Sequence, residues 1–228
     1  MKLIILLLFL TIPCQAKMLK IAVLDTGLDL NDPRFKNVLC KTGHKDFTGE
    51  GIDDKVGHGT HIVGLIKQYA ENSKYCILIF KYFKESLLNN SKYIIASYKE
   101  AIKNNVKIIN MSGGGNNYLE QEENIIKQNP KIIFNVAAGN DGKDIDEVPY
   151  YPATFKYKNV IAIGNLNKDG KTRNESSNYG SDVKTWEIGT NVLSTLPNGK
   201  EGKLTGTSMS AAIHAGKLIK ELYDNKHY

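Results

Sequence analysis

The sequence predicts an α/β fold: a mostly parallel central sheet with helices on both faces. Three observations carry that prediction. Short runs rich in Ile, Val and Phe recur along the chain. Stretches with one apolar face at helical spacing separate some of them. Residues able to do chemistry stand directly after several of the runs. An apolar run of this length reads as a strand buried on both faces. Strand–helix–strand alternation demands right-handed crossovers and a parallel sheet with helices covering both faces. Function in such sheets collects beyond the carboxyl ends of the strands.

In chain order, residues 1–16 read as an export signal. Lys2 supplies the basic start, residues 3–12 form the apolar run, Pro13 breaks it, and Cys14-Gln15-Ala16 offers small residues before a cleavage point. The run is too short to span a bilayer, which takes roughly 20 residues. It therefore implies no stable membrane insertion after cleavage. Acylation of Cys14 is an alternative that Pro13 opposes. Residues 17–228 then form one domain. Strands are expected at residues 19–24 (LKIAVL), 77–83 (ILIFKYF), 106–110 (VKIIN), 131–136 (KIIFNV) and 159–163 (NVIAI). Ile62, Leu65, Ile66 and Tyr69 share one helical face, as do Ile94, Ile95, Tyr98 and Ile102. A third helix is expected over residues 119–128, ended by Pro130.

Composition narrows the function. The 228 residues carry a formal charge of +6, with lysines scattered and arginine only at positions 34 and 173. Nucleic-acid binding usually gathers its basic residues on one surface, so that class is set aside. After the signal, two cysteines remain. Cys40 and Cys76 either pair, as an exporting compartment permits, or stay as buried thiols.

Four motifs carry chemistry. Asp25 ends the first strand in Val23-Leu24-Asp25-Thr26-Gly27; on its own it reads equally well as a turn residue. His58 lies in Gly57-His58-Gly59-Thr60-His61 at the mouth of a helix. The two histidines there lack the spacing and the glutamate of a zinc protease, so no metal is expected, and His61 reads as a packed structural residue. Ala137-Ala138-Gly139-Asn140 follows another apolar run. Ser208, in Gly206-Thr207-Ser208-Met209, opens a small-residue helix, where backbone N–H groups and the positive helix end favour an oxyanion.

In that order the four motifs resemble the subtilisin-like serine protease family, the standard illustration of an Asp…His…Ser order and of an oxyanion-binding Asn. The likeness covers roughly residues 18–223 and includes Ile109-Asn110-Met111-Ser112-Gly113-Gly114 and Tyr151-Pro152-Ala153. It implies a subtilisin-like three-layer fold and a secreted or periplasmic, monomeric serine endopeptidase without cofactor. Asp25, His58 and Ser208 would form the triad, with Asn140 in the oxyanion hole. Ser112, Gly113, Gly114, Ala138 and Gly139 would bind a polypeptide substrate. The acidic residues Asp141, Asp144, Asp146 and Glu147 are either a pocket rim favouring Lys or Arg, or a solvated loop.

Some features depart from the family. Arg34 stands where the family often has a calcium-binding Asp, and Ala212 where it usually has Pro. No propeptide fits before the first strand, and the chain ends soon after the Ser208 helix. A separate inhibitor or folding helper would fill the propeptide's role. A narrow processing protease fits the same class. An inactive module that captures peptides on residues 112–114 is the alternative.

Overall fold

The structure is a computed structural model that describes residues 18–84 and 90–225. The expected export signal lies outside the described residues. Alternation along each strand decides which side of the sheet a residue serves. In β1 (Leu19–Asp25), Ile21 and Val23 join Ile77 and Ile79 of β3 (Tyr75–Lys81) in one core. Ala22 and Leu24 join Leu78 and Phe80 in the other. The first core is covered by α1 (His58–Tyr69) and α4 (Thr207–Asp224). The second is covered by α2 (Ser91–Lys103) and α3 (Glu120–Gln128). The expected three-layer α/β architecture is the one found.

The sheet has seven parallel strands in the order β2–β3–β1–β4–β5–β6–β7. The strands not yet placed are β2 (Lys45–Asp46), β4 (Ile108–Met111), β5 (Ile133–Ala137), β6 (Val160–Leu166) and β7 (Thr185–Ile188). From β1 the chain moves outward to β3 through α1, then returns past β1 to β4 through α2. With right-handed crossovers, that reversal puts α1 and α2 on opposite faces. It also opens a crevice between the carboxyl ends of β1 and β4, where ligands of open α/β sheets bind.

The structure starts β3 two residues before the expected run and adds β2, β7 and an antiparallel hairpin that the apolar pattern does not announce. The hairpin pairs β8 (Val192–Thr195) with β9 (Glu201–Leu204). It is fastened to α1 by Ser194 Oγ on the His61 carbonyl at 2.9 Å and Thr195 Oγ1 on the Thr60 carbonyl at 2.9 Å. His61 is fully buried, with Nε2 3.1 Å from the Val192 carbonyl and 3.2 Å from that of Gly202. Burial lowers its pKa and keeps it neutral. Cys40 and Cys76 are joined in a disulfide that ties the segment before β2 to β3.

Candidate functional site

Asp25 is the last residue of β1 and is buried at the crevice. Its Oδ1 accepts the Thr26 N–H at 2.7 Å and lies 2.7 Å from His58 Nδ1. A carboxylate oxygen only accepts, so Nδ1 carries the proton and Nε2 keeps its lone pair. His58 is the first residue of α1. The helix can start this close to β1 because Gly59 has no side chain: a Cβ there would sit 2.2 Å from the Gly27 carbonyl oxygen. Burial pulls the His58 pKa down, but the charge and hydrogen bond of Asp25 and the charge of Asp54 outweigh it, and the net shift is upward.

Asp54 is a member of the site that the motifs did not reveal. It is 3 % exposed and accepts five hydrogen bonds, from Thr26 Oγ1, Thr60 Oγ1 and the N–H groups of Val56, Gly57 and Thr60, at 2.7–3.1 Å. It thereby satisfies donors at the start of α1 that no helical carbonyl reaches. Burial raises its pKa, yet these bonds bring the net shift below the ordinary value. A carboxylate four residues before the histidine of a helix mouth was the available signal.

Ser208 lies in the first turn of α4 and is buried. Its hydroxyl donates to the Ser112 carbonyl at 2.7 Å. Ser112 lines the same cleft as Asp25 and His58, and its carbonyl is the group that Ser208 bonds. Asn140 follows β5. Its Oδ1 accepts from Thr207 N at 2.9 Å and Thr207 Oγ1 at 3.0 Å. That fixes the amide orientation and leaves Nδ2 without a partner among the described residues. The Ser208 N–H, in the first turn of α4, is likewise without one.

A chain of buried polar groups supports this helix. His214 Nδ1 donates to Asn135 Oδ1 (2.5 Å), Asn135 Nδ2 to Asn110 Oδ1 (2.8 Å), Asn110 Nδ2 to Ser112 Oγ (2.9 Å), and Ser112 Oγ to the Ser208 carbonyl (3.3 Å). It leaves α4 at its second turn, crosses β5 and β4 and returns to the first turn. Burial, then the nearby Lys217 charge, lower the His214 pKa to about 4, so it stays neutral at physiological pH.

Gly113 and Gly114 follow β4 and make no backbone hydrogen bond to any described residue, whereas Gly115 exchanges two with Tyr151. Their open N–H and C=O groups suit an added strand. Ala138 and Gly139, expected to bind substrate as well, are buried with their backbone groups engaged. Ala138 N–H bonds Ile163 O and its carbonyl takes Asn178 Nδ2; Gly139 N–H bonds Thr207 Oγ1 and its carbonyl takes Asn178 N–H. Of these four residues, only Gly113 and Gly114 have open backbone groups. None of Asp141, Asp144, Asp146 and Glu147 lines the cleft, and Asp146 is engaged by Ser181. Arg34 is paired with Asp32 at 2.6 Å. Among the described residues no three acidic, His or Cys side chains are placed to hold a metal ion.

A family model described as "Subtilase family" matches residues 16–226. The "Major intracellular serine protease" of Bacillus subtilis (strain 168) is 36 % identical over 222 residues, covering 90 % of this chain and 68 % of that protein. Subtilisin E of the same organism is 31 % identical over 209 residues, covering 86 % of this chain and 53 % of that one. The crystal structure of a cold-adapted subtilisin-like serine proteinase superimposes with a TM-score of 0.78 at 25 % identity, over 91 % of this chain and 76 % of the other. A lanthipeptide protease shares the fold with a TM-score of 0.80 at 23 % identity, over 92 % and 74 %.

Proposed function

The chain belongs to the subtilase family and is a serine endopeptidase; from that premise we propose that Asp25, His58 and Ser208 are its triad, acting on polypeptide substrates, and that the enzyme is exported. The observation that supports this is the 2.7 Å Asp25–His58 contact in the cleft lined by Ser112, whose carbonyl accepts the Ser208 hydroxyl. A peptide adds as a strand to Gly113–Gly114. The Ser208 hydroxyl turns from the Ser112 carbonyl toward His58 Nε2, which takes its proton as Oγ attacks the scissile carbonyl. Resting contacts of this kind commonly tighten only once substrate is bound. Asp25 holds the imidazole and stabilises the imidazolium. The Ser208 N–H and Asn140 Nδ2 receive the oxyanion; a single side-chain donor of this kind is worth about 10² to 10³ in kcat. His58 then protonates the leaving amine, and water repeats the cycle on the acyl-enzyme.

Export rests on the N-terminal sequence and on the Cys40–Cys76 disulfide, since disulfides persist mainly in oxidising compartments. No helix among the described residues is long and apolar enough to cross a membrane.

A fluorophosphonate probe tests the reading. Wild type is expected to label at Ser208 and Ser208→Ala to stay unlabelled, with kcat lower by on the order of 10⁶, the loss known for the subtilisin nucleophile. An unlabelled wild type, as in a peptide-binding module, overturns the assignment. In fractions of producing cells, label outside the cytoplasm supports export, and label confined to the cytosol refutes it.

A further inference from the structure

The cleft beside the proposed triad has a volume of about 470 Å³ and extends from Asp25 and His58 along Ser112–Gly115. Most of its wall is apolar or aromatic, with Tyr82, Ile94, Met111, Leu119 and Tyr150 among the lining residues. One lining residue is out of keeping with that wall. Glu122, in the first turn of α3, is only 3 % exposed. Its Oε1 accepts the Tyr98 hydroxyl at 3.0 Å. Its Oε2 bonds to no described residue, and no described Lys or Arg pairs with it. Burial raises its pKa to about 7, with only the Tyr98 bond opposing.

A buried carboxyl with one donor is poorly compensated, and charge-assisted bonds are the strongest means of compensating it. The empty space in front of it is bounded by the strand that a substrate would extend. Gly113 and Gly114 put no side chain between that strand and the cleft. A Cβ at Gly113 would come within 2.4 Å of the Tyr82 hydroxyl, so the wall is closed up against a bare backbone. An apolar passage leading to an acid suits a long side chain with a methylene stem and a cationic head.

We propose that this cleft is a specificity pocket for a lysine or arginine side chain of the substrate and that Glu122 is the residue that selects it. The inference rests on the peptide-binding reading given above and deepens it. The stem lies along Ile94, Met111 and Leu119, and the ammonium or guanidinium donates to Glu122 Oε2. Selection for basic residues thus resides on α3, away from the acidic loop of residues 141–147.

Binding to the Ser208→Ala protein reads the pocket without the chemistry. Acetylated hexapeptides carrying Lys, Arg, norleucine or Glu at each position in turn are titrated by fluorescence polarisation. At one position, the Lys and Arg peptides are expected to bind at least about tenfold more tightly than the norleucine peptide. Adding Glu122→Leu should abolish or invert that preference. Adding Glu122→Gln, which keeps an acceptor for Tyr98, should abolish the ionic part while thermal melting stays cooperative. Equal binding of Lys and norleucine at every position, or a basic preference that survives both substitutions, overturns the proposal. Failure of the wild type to label with fluorophosphonate would remove the proposed catalysis and leave this result standing.

Discussion

Two carboxyls flank the crevice, Asp54 at the start of α1 and Glu122 at the start of α3, and each is 3 % exposed. Asp54 is met by five donors and has a lowered pKa; Glu122 is met by one and has a pKa raised to about 7. Desolvation heads the causes for both. The difference teaches that at the same surface exposure the number of donors weighs against desolvation in deciding whether a hidden carboxyl is charged. It also separates two roles. A carboxyl whose lone pairs are filled from within holds the protein together and sets the field at His58. A carboxyl left short of donors beside an open cleft is available to a ligand.

The largest break in this comparison comes from removing the saturated member. Asp54→Ala leaves five donors without their acceptor, two hydroxyls and the N–H groups of Val56, Gly57 and Thr60 around the start of α1. Leaving one buried donor unpaired costs about 1–3 kcal/mol, so a loss on the order of 3 kcal/mol or more is expected. Urea denaturation measures it as a lower midpoint at unchanged slope. A loss no larger than that of an ordinary surface substitution would mean that water replaces Asp54 and that its five bonds are not structural.

A milder substitution isolates charge from support. Asp54→Asn keeps an acceptor but removes the negative charge that helps raise the His58 pKa. If His58 is the general base proposed above, activity needs it neutral and falls as pH drops through that pKa. In the wild type the acid limb of kcat/KM should lie above the ordinary histidine value. In Asp54→Asn the limb should move to lower pH, with a smaller stability loss than in Asp54→Ala. An unmoved limb would show that Asp25 alone sets the imidazole.

The same pair shows how far the sequence was readable. The strands were legible because each is a run of Ile, Val, Leu or Phe, and the crossover helices because their apolar residues repeat at helical spacing. Asp25, His58, Asn140 and Ser208 stood out because each follows an apolar run or opens a helix among glycines. β7 reads Thr-Trp-Glu-Ile and its side chains are largely half-buried, so no apolar run announced it. The period of a helix marks its apolar face but not which charged residue faces the core. Glu120, Glu122 and Glu123 look alike in sequence, and only the packing of α3 against Tyr98 hides Glu122. Asn110 and Asn135 are polar residues inside apolar strands that the pattern does not explain. They become intelligible only when α4 returns across the sheet with His214 and the Ser208 carbonyl at the two ends of the chain.

The smallest expected effect sharpens the comparison from the poorly compensated side. Tyr98→Phe removes the one donor to Glu122 while keeping the ring edge-to-face with Phe134, 5.5 Å away. The loss of one hydrogen bond is worth about 1 kcal/mol. Its pH dependence is the informative part. Burial raises the Glu122 pKa and the Tyr98 bond opposes it, so the variant's carboxyl should titrate above about 7. A carboxyl raised on folding contributes stability that is fully present below its unfolded pKa, near 4.5, and is lost as pH rises through the folded value. In the wild type the Tyr98 hydroxyl limits the cost of ionisation; in Tyr98→Phe nothing does. The gap in unfolding free energy between the two proteins should therefore be flat near pH 5 and widen as pH rises through about 7. Tyr82 and Tyr150, which line the same cleft, have pKa values pushed upward by burial and stay neutral across that range. A gap that is constant with pH would mean that Glu122 is protonated throughout. It would then meet a basic side chain as a neutral acid, and selection in the cleft would rest on shape alone.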